Sequence, residues 1–178
     1  MTLLASRTLR LRALEPEDLD LLNRVENDTD LWPFGVTNVP YSKFVLRRYL
    51  TETRYDLFAD GQLRLIMERP DNNHVPVGMV DLMNFDPRHS RAEVGIVVLP
   101  EFRHQGVGTE AIRLLESYSR SLFNIHQLYA IVAADNGPAL SLFRTAGFGG
   151  EMTLPEWLAR DGRFLDAVFL QKISRLRD

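Results

Sequence analysis

The chain has 178 residues, 45% hydrophobic and 25% charged, a composition that fits one folded domain over residues 1–178 with a substantial core. A net charge of −3 excludes nucleic-acid binding driven by bulk positive charge, and the absence of cysteine excludes disulfides, thiolate metal sites and a cysteine nucleophile. No basic stretch followed by a long apolar run opens the chain, and no apolar segment reaches membrane-spanning length, so the expected location is the cytoplasm.

Thr8-Leu9-Arg10-Leu11-Arg12-Ala13 alternates polar and apolar side chains, which predicts a half-buried strand over 8–13. Pro16-Glu17-Asp18 then opens a helix, because proline suits a first turn and acids there favour the dipole; Leu19, Leu22 and Val25 supply its buried face. Residues 27–40, with Trp32, Pro33, Phe34 and Gly35, are irregular. A second helix over 41–50 is expected to bury Tyr41, Phe44, Val45 and Tyr49. Strands follow over 63–69, 75–84 and 91–98, with Asp86-Pro87-Arg88-His89-Ser90 as the turn before the last. From Val107 onward, Ala111, Leu114, Leu115, Tyr118 and Leu122 recur at helical spacing. A strand over 128–133, a helix over 138–146 closed by Gly147, and strands over 148–152 and 164–173 complete the chain. Neither repeats nor linkers interrupt this order of seven strands and four helices.

The junction at Pro100-Glu101-Phe102-Arg103-His104-Gln105-Gly106-Val107-Gly108-Thr109 carries the most chemistry. A strand ends, a basic turn with two glycines follows, and a helix begins. The first N–H groups of a helix lack internal partners and its dipole favours an anion there. Glycine lets a ligand approach the backbone, and Arg103 and His104 add positive character at the rim. Residues 103–109 therefore form a candidate cradle for a pyrophosphate; a tight glycine turn with no ligand is the plain alternative. No Lys-Ser or Lys-Thr follows the glycines, and their spacing is not Gly-x-Gly-x-x-Gly, so two common phosphate motifs are excluded. Two carboxylates, Glu93 and Asp81, stand in otherwise apolar strands, where an unpaired charge is costly. Glu93 is a candidate base, with a salt bridge to Arg88 or Arg91 as the alternative. The four histidines show no metal-ligand spacing, so no metal is expected.

Arg103-His104-Gln105-Gly106-Val107-Gly108 resembles the Gln/Arg-x-x-Gly-x-Gly/Ala signature of the GNAT superfamily of acetyl-CoA-dependent N-acetyltransferases. Asn136-Gly137-Pro138-Ala139, followed by a helix ending in Gly147-Phe148, resembles that family's Asn-x-x-Ala landmark at the right separation. The resemblance covers essentially the whole chain and is most specific from about Val77 to Phe148. It implies an α/β (α+β) GNAT fold, a mixed twisted sheet of about seven strands flanked by about four helices. Acetyl-CoA is the implied cosubstrate and an amine the implied acceptor. The cofactor would touch Arg103, His104, Gln105, Gly106, Val107, Gly108 and Thr109, together with Asn136 and Phe143. In the family the strand before the cradle splays from its neighbour and pairs with the pantetheine arm, which by position assigns Ile96, Val97 and Val98. Glu93 matches a glutamate that many relatives carry as a base acting through water. Asn136 also suits a helix cap.

The sequence departs from the family at the acid. Many relatives place a tyrosine after leucine in the helix following Asn-x-x-Ala; here the pair is Leu142-Phe143. A serine that other relatives use is replaced by Ala139. Tyr129 from the adjoining strand, or a water, is left to protonate the departing thiolate. Asp161-Gly162-Arg163-Phe164-Leu165-Asp166 resembles a hairpin common in the spermidine/diamine and ribosomal-protein N-acetyltransferase branch. The implied acceptor is a small amine or polyamine, or a protein N-terminus. Asp81, Trp32 and Phe34 are candidate acceptor contacts, and residues 28–40 are the expected seat of selectivity. Trp157, Phe164 and Phe169 fit core or interface, which leaves a homo-oligomer open. No nucleic acid or membrane partner is expected. A catalytically impaired acyl-CoA-binding sensor or assembly module is the alternative that Phe143 raises.

Overall fold

The computed structural model describes residues 3–35 and 39–174. Among them a seven-stranded sheet takes the order β1-β2-β3-β4-β5-β7-β6, where β1 is Arg10–Arg12, β2 Leu63–Arg69, β3 Val75–Asp86, β4 Arg91–Val98, β5 Gln127–Ala133, β6 Gly149–Arg160 and β7 Arg163–Ile173. Every neighbouring pair is antiparallel except β4 and β5, which run parallel through the crossover helix α4, Val107–Phe123.

Side-chain alternation along the strands divides the core into two layers. Val80, Leu82, Ala92, Val94, Leu128, Ala130 and Val132 join Ala111, Ile112 and Leu115 of α4, with Leu140 and Phe143 of α5, Gly137–Thr145. On the other face Ile66, Met79 and Leu99 meet Leu22 and Val25 of α1, Leu19–Glu26, and Leu46 and Leu50 of α2, Lys43–Glu52. Arg12 on β1 ties the near edge together by binding both Asp18, at 2.7 Å, and the buried Glu68 of β2, at 2.5 Å.

The element order agrees with the sequence expectation, and the differences have local causes. The first strand is three residues long, because Ser6 turns back onto Leu9, its amide donating to Leu9 O at 2.8 Å. A short helix α3, Leu57–Asp60, was not predicted; Asp56 caps its amides and Gly61, at φ +66°, ends it after one turn. Helix α2 buries Leu46 and Leu50 and leaves Phe44 66% exposed, so its buried face is rotated from the expected one. Strand β6 runs on to Arg160 instead of stopping near Met152. Its register shifts between Leu154 and Leu158, around Pro155, which an edge strand tolerates because its free side needs no N–H. Asp161 and Gly162 both have positive φ and close a tight β6–β7 hairpin. Trp157 and Phe164 stand exposed on that hairpin and are not core.

Candidate active site

Strands β4 and β5 share only three rungs, Arg91↔Gln127, Ala92↔Leu128 and Glu93↔Tyr129. Beyond them the two strands have no paired residues, while β4 stays on β3 as far as Val98↔Gly78. The Leu99 amide donates to Val77 O at 2.9 Å, and antiparallel alternation then turns the Gly95 and Val97 backbone toward β3. The Ile96 and Val98 main-chain groups face the opening. Val98 O accepts from Arg103 Nε there, at 3.0 Å. The expectation of three consecutive free positions is corrected: Val97 is committed to β3, and its side chain packs toward α1 and α2.

The opening leads to the start of α4. Gly106 precedes the helix at φ +78°, and no atom lies within 4 Å of where its Cβ would stand, so the turn is open toward solvent. The first helical bond is Glu110 N–H to Gly106 O, 3.1 Å, which leaves the Val107, Gly108 and Thr109 amides without helical partners. His104, at φ +60°, lies exposed in the same turn. Gln105 braces the turn through its side chain, accepting from Arg69 at 3.1 Å and donating to Glu101 O at 3.0 Å. Gly108 serves a different purpose from ligand access. A Cβ there would stand 3.0 Å from Leu142 Cδ1, so this glycine lets α4 approach α5. Asn136 caps α5, its Oδ1 accepting from the Ala139 amide at 3.2 Å. Phe143 is corrected to a core residue, 4% exposed and packed edge-to-face on Phe148, with almost no surface to offer a cofactor.

Glu93 and Tyr129 face each other across the last rung before the strands part, so their side chains leave the same face of the sheet. Arg91 pairs with Asp86 at 3.1 Å and not with Glu93. The Glu93 carboxylate instead accepts from Asn84 Nδ2 at 2.7 Å. Asn84, which the sequence reading missed, sits at φ +48° within an irregularity of the β3–β4 ladder between Met83 and Asp86. A bulge re-aims a side chain, and here it aims an amide at the carboxylate. An asparagine just ahead of Asp86-Pro87 was the available signal. Tyr129 stacks on Phe169 with ring centroids 5.6 Å apart. Burial, and then the nearby Glu93 charge, raise its pKa above the ordinary value, so the hydroxyl keeps its proton.

Asp81 is two residues along the same face of β3, but its carboxylate is already held by Arg64 at 2.8 and 3.0 Å. Arg64 also binds Glu26 of α1, at 2.5 Å. Burial works against the Arg64 charge, yet the two carboxylates outweigh it and its pKa is raised. The trio retains one net negative charge. Trp32 is pinned to the end of α1 by its indole N–H on Glu26 O, 2.9 Å, whereas Phe34 is exposed with the Arg160 guanidinium 5.4 Å above its ring. Residues 36–38 of the expected selectivity loop lie outside the described residues. Among the described residues no cluster of His, Asp or Glu is placed to hold a metal ion, and no helix is long and apolar enough to cross a membrane.

A parallel strand pair that opens beside unpaired amides at a helix start, with a carboxylate and a tyrosine at the fork, defines the class of acyl-carrier-dependent transferases. The acetyltransferase (GNAT) domain matches residues 8–149, and the chain belongs to that family. It is 27% identical over 164 residues to the spermidine N(1)-acetyltransferase of Escherichia coli K12, covering 92% of this chain and 85% of that protein. Among solved structures, the spermidine N-acetyltransferase from Vibrio cholerae in complex with CoA and spermine superposes with a TM-score of 0.82 at 26% identity, covering 94% of this chain and 96% of that one. A dodecameric structure of the Vibrio cholerae enzyme superposes at 0.77 with 26% identity, covering 94% and 95%.

Proposed function

We propose that the protein transfers the acetyl group of acetyl-CoA to a primary amine of a polyamine, by direct attack within a ternary complex. The opening of β4 from β5 directly ahead of the 107–109 amides is the observation that carries this reading. The amides and Arg103 take the diphosphate, the free Ile96 and Val98 backbone pairs with the pantetheine arm, and the thioester arrives beside Glu93 and Tyr129. The polyamine assignment rests on the likeness to spermidine acetyltransferases over nearly the whole chain. The uncompensated negative charge of the Glu26–Arg64–Asp81 trio, on the face from which an acceptor would enter, favours a cation. The exposed Trp157 and Phe164, together with the dodecameric relative, support assembly as a homo-oligomer.

Chemically, the ammonium of the acceptor first gives up a proton, which Glu93 takes through a water while Asn84 holds its carboxylate in place. The neutral nitrogen then attacks the thioester carbonyl, and a main-chain N–H of the opened β4 edge stabilises the oxyanion. Collapse breaks the C–S bond as the C–N bond is kept. Tyr129 gives its proton to the sulfur, and the nitrogen loses its remaining proton to solvent. The Glu93–Tyr129 pair favours catalysis over the impaired-module alternative.

Acetyl-CoA turnover against spermidine, spermine, amino acids and N-terminal peptides tests the reading. Spermidine or spermine is expected to give the highest kcat/KM; turnover confined to peptides would assign the acceptor to a protein N-terminus. Because the Tyr129 proton is held above the ordinary tyrosine range, kcat is expected to persist to about pH 10 before falling. Tyr129→Phe should lower kcat about tenfold, a modest loss because a thiolate is a fair leaving group, and should remove that alkaline fall. A variant with an unchanged pH–rate profile would transfer the acid role to water.

A further inference from the structure

Next to the amide cradle an open hollow of about 630 Å³ lies over α4, lined by Gly106, Thr109, Arg113 and Leu114, with Thr145 of α5 on one flank. That volume falls in the range of small-ligand sites. Its one acid, Glu110, is turned away, since its carboxylate accepts from the Ser6 hydroxyl and from Thr8 Oγ1 at 2.8 Å. Arg113 has no hydrogen bond or ion pair to any described residue, whereas the neighbouring cation Lys172 is bound to Glu116 at 2.6 Å. Gly106, Thr109 and Arg113 follow one face of the helix, and Arg113 stands two turns beyond the cradle, roughly 10 Å in rise. Its side chain leans back toward the helix start, as helical side chains do.

CoA carries a second anion close to its diphosphate, a phosphate on the 3′ oxygen of the same ribose. We infer that this hollow seats the nucleotide end of the acyl carrier and that Arg113 pairs with its 3′-phosphate, so that the enzyme distinguishes CoA from 3′-dephospho-CoA. Arginine suits the task because its fork matches phosphate oxygens in a bidentate manner. Leu114 supplies the apolar floor for the base. The assignment rests on the acetyl-CoA reading above.

Calorimetric titration of the full chain with CoA and with 3′-dephospho-CoA tests it without requiring turnover. The wild type is expected to bind CoA about tenfold more tightly, the worth of one partly exposed charge-assisted contact. Arg113→Gln should bring CoA down to the level of the dephospho ligand and leave the affinity for the latter unchanged, and Arg113→Lys should recover part of the difference. Equal wild-type affinity for the two ligands would overturn the assignment alone. So would an equal loss on both in Arg113→Gln, which would mark a general field effect. Failure of either ligand to bind at all would overturn the acetyl-CoA reading and this one with it.

Discussion

Gly106→Glu is expected to abolish CoA binding while leaving the fold in place. The residue sits at φ +78°, where a side chain strains the backbone by about 1–2 kcal/mol, and its Cβ would project into open space with no atom within 4 Å. The core is therefore untouched, and the expected cost to stability is a fall in Tm of a few degrees. Binding should respond differently. A carboxylate placed over the unpaired Val107, Gly108 and Thr109 amides competes for the same donors as the diphosphate and repels it. Like-charge juxtaposition of about 3 kcal/mol corresponds to a loss on the order of 100-fold in affinity. Gly106→Ala carries the strain without the charge, so it should show the same small loss of Tm and a much weaker effect on CoA. Calorimetry on the two variants beside a thermal melt separates the contributions. A Gly106→Glu protein that binds CoA like the wild type would remove the diphosphate from this turn.

The order of elements was legible because it is written locally, in periodicity and turn chemistry. Val94 and Ala92 alternate with Glu93, and Ala111, Leu115 and Tyr118 step along one helical face, whatever the rest of the chain does. What failed to show in the sequence depends on partners far away. The direction of the Val97 backbone is set by its register with Met79 on β3, which no local pattern reports. Phe143 is buried because Phe148 and Leu140 close over it, although an aromatic at that position equally suits a cofactor contact. Helix α2 reads Lys43-Phe44-Val45-Leu46-Arg47-Arg48-Tyr49-Leu50, with apolar residues on more than one face, so packing against Leu22 and Val25 decides which is buried. The two glycines of the cradle looked alike in sequence, yet only Gly106 keeps the turn open. Gly108 answers to Leu142 across a helix contact. Glu93 was visible as a charge among apolar neighbours, but its partner was not, because Asn84 reaches it through a ladder irregularity.

That partner makes Glu93→Gln a clean test of the base. Glutamine is nearly isosteric and its carbonyl oxygen can still accept from Asn84 Nδ2, now 2.7 Å from the carboxylate, so the geometry of the fork survives while basicity is lost. The expected result is a fall in kcat of roughly 10²- to 10⁴-fold near neutral pH. The KM for acetyl-CoA should hardly move, because the diphosphate and pantetheine contacts lie on α4 and on the opened edge of β4. The dependence on pH then separates two roles. A primary amine titrates near 10.4, so raising the pH from 7 toward 10 lets the acceptor shed its proton to solvent and supplies what the missing base would have done. The deficit of Glu93→Gln relative to the wild type should therefore shrink steadily over that interval. If Glu93 served instead as a fixed counter-charge for an acceptor that binds as a cation, the loss would fall on the KM for the amine. The kcat deficit would then stay constant with pH. A stopped-time assay with spermidine at saturating acetyl-CoA, run from pH 7 to pH 10 on both proteins, distinguishes proton removal from charge attraction at this carboxylate.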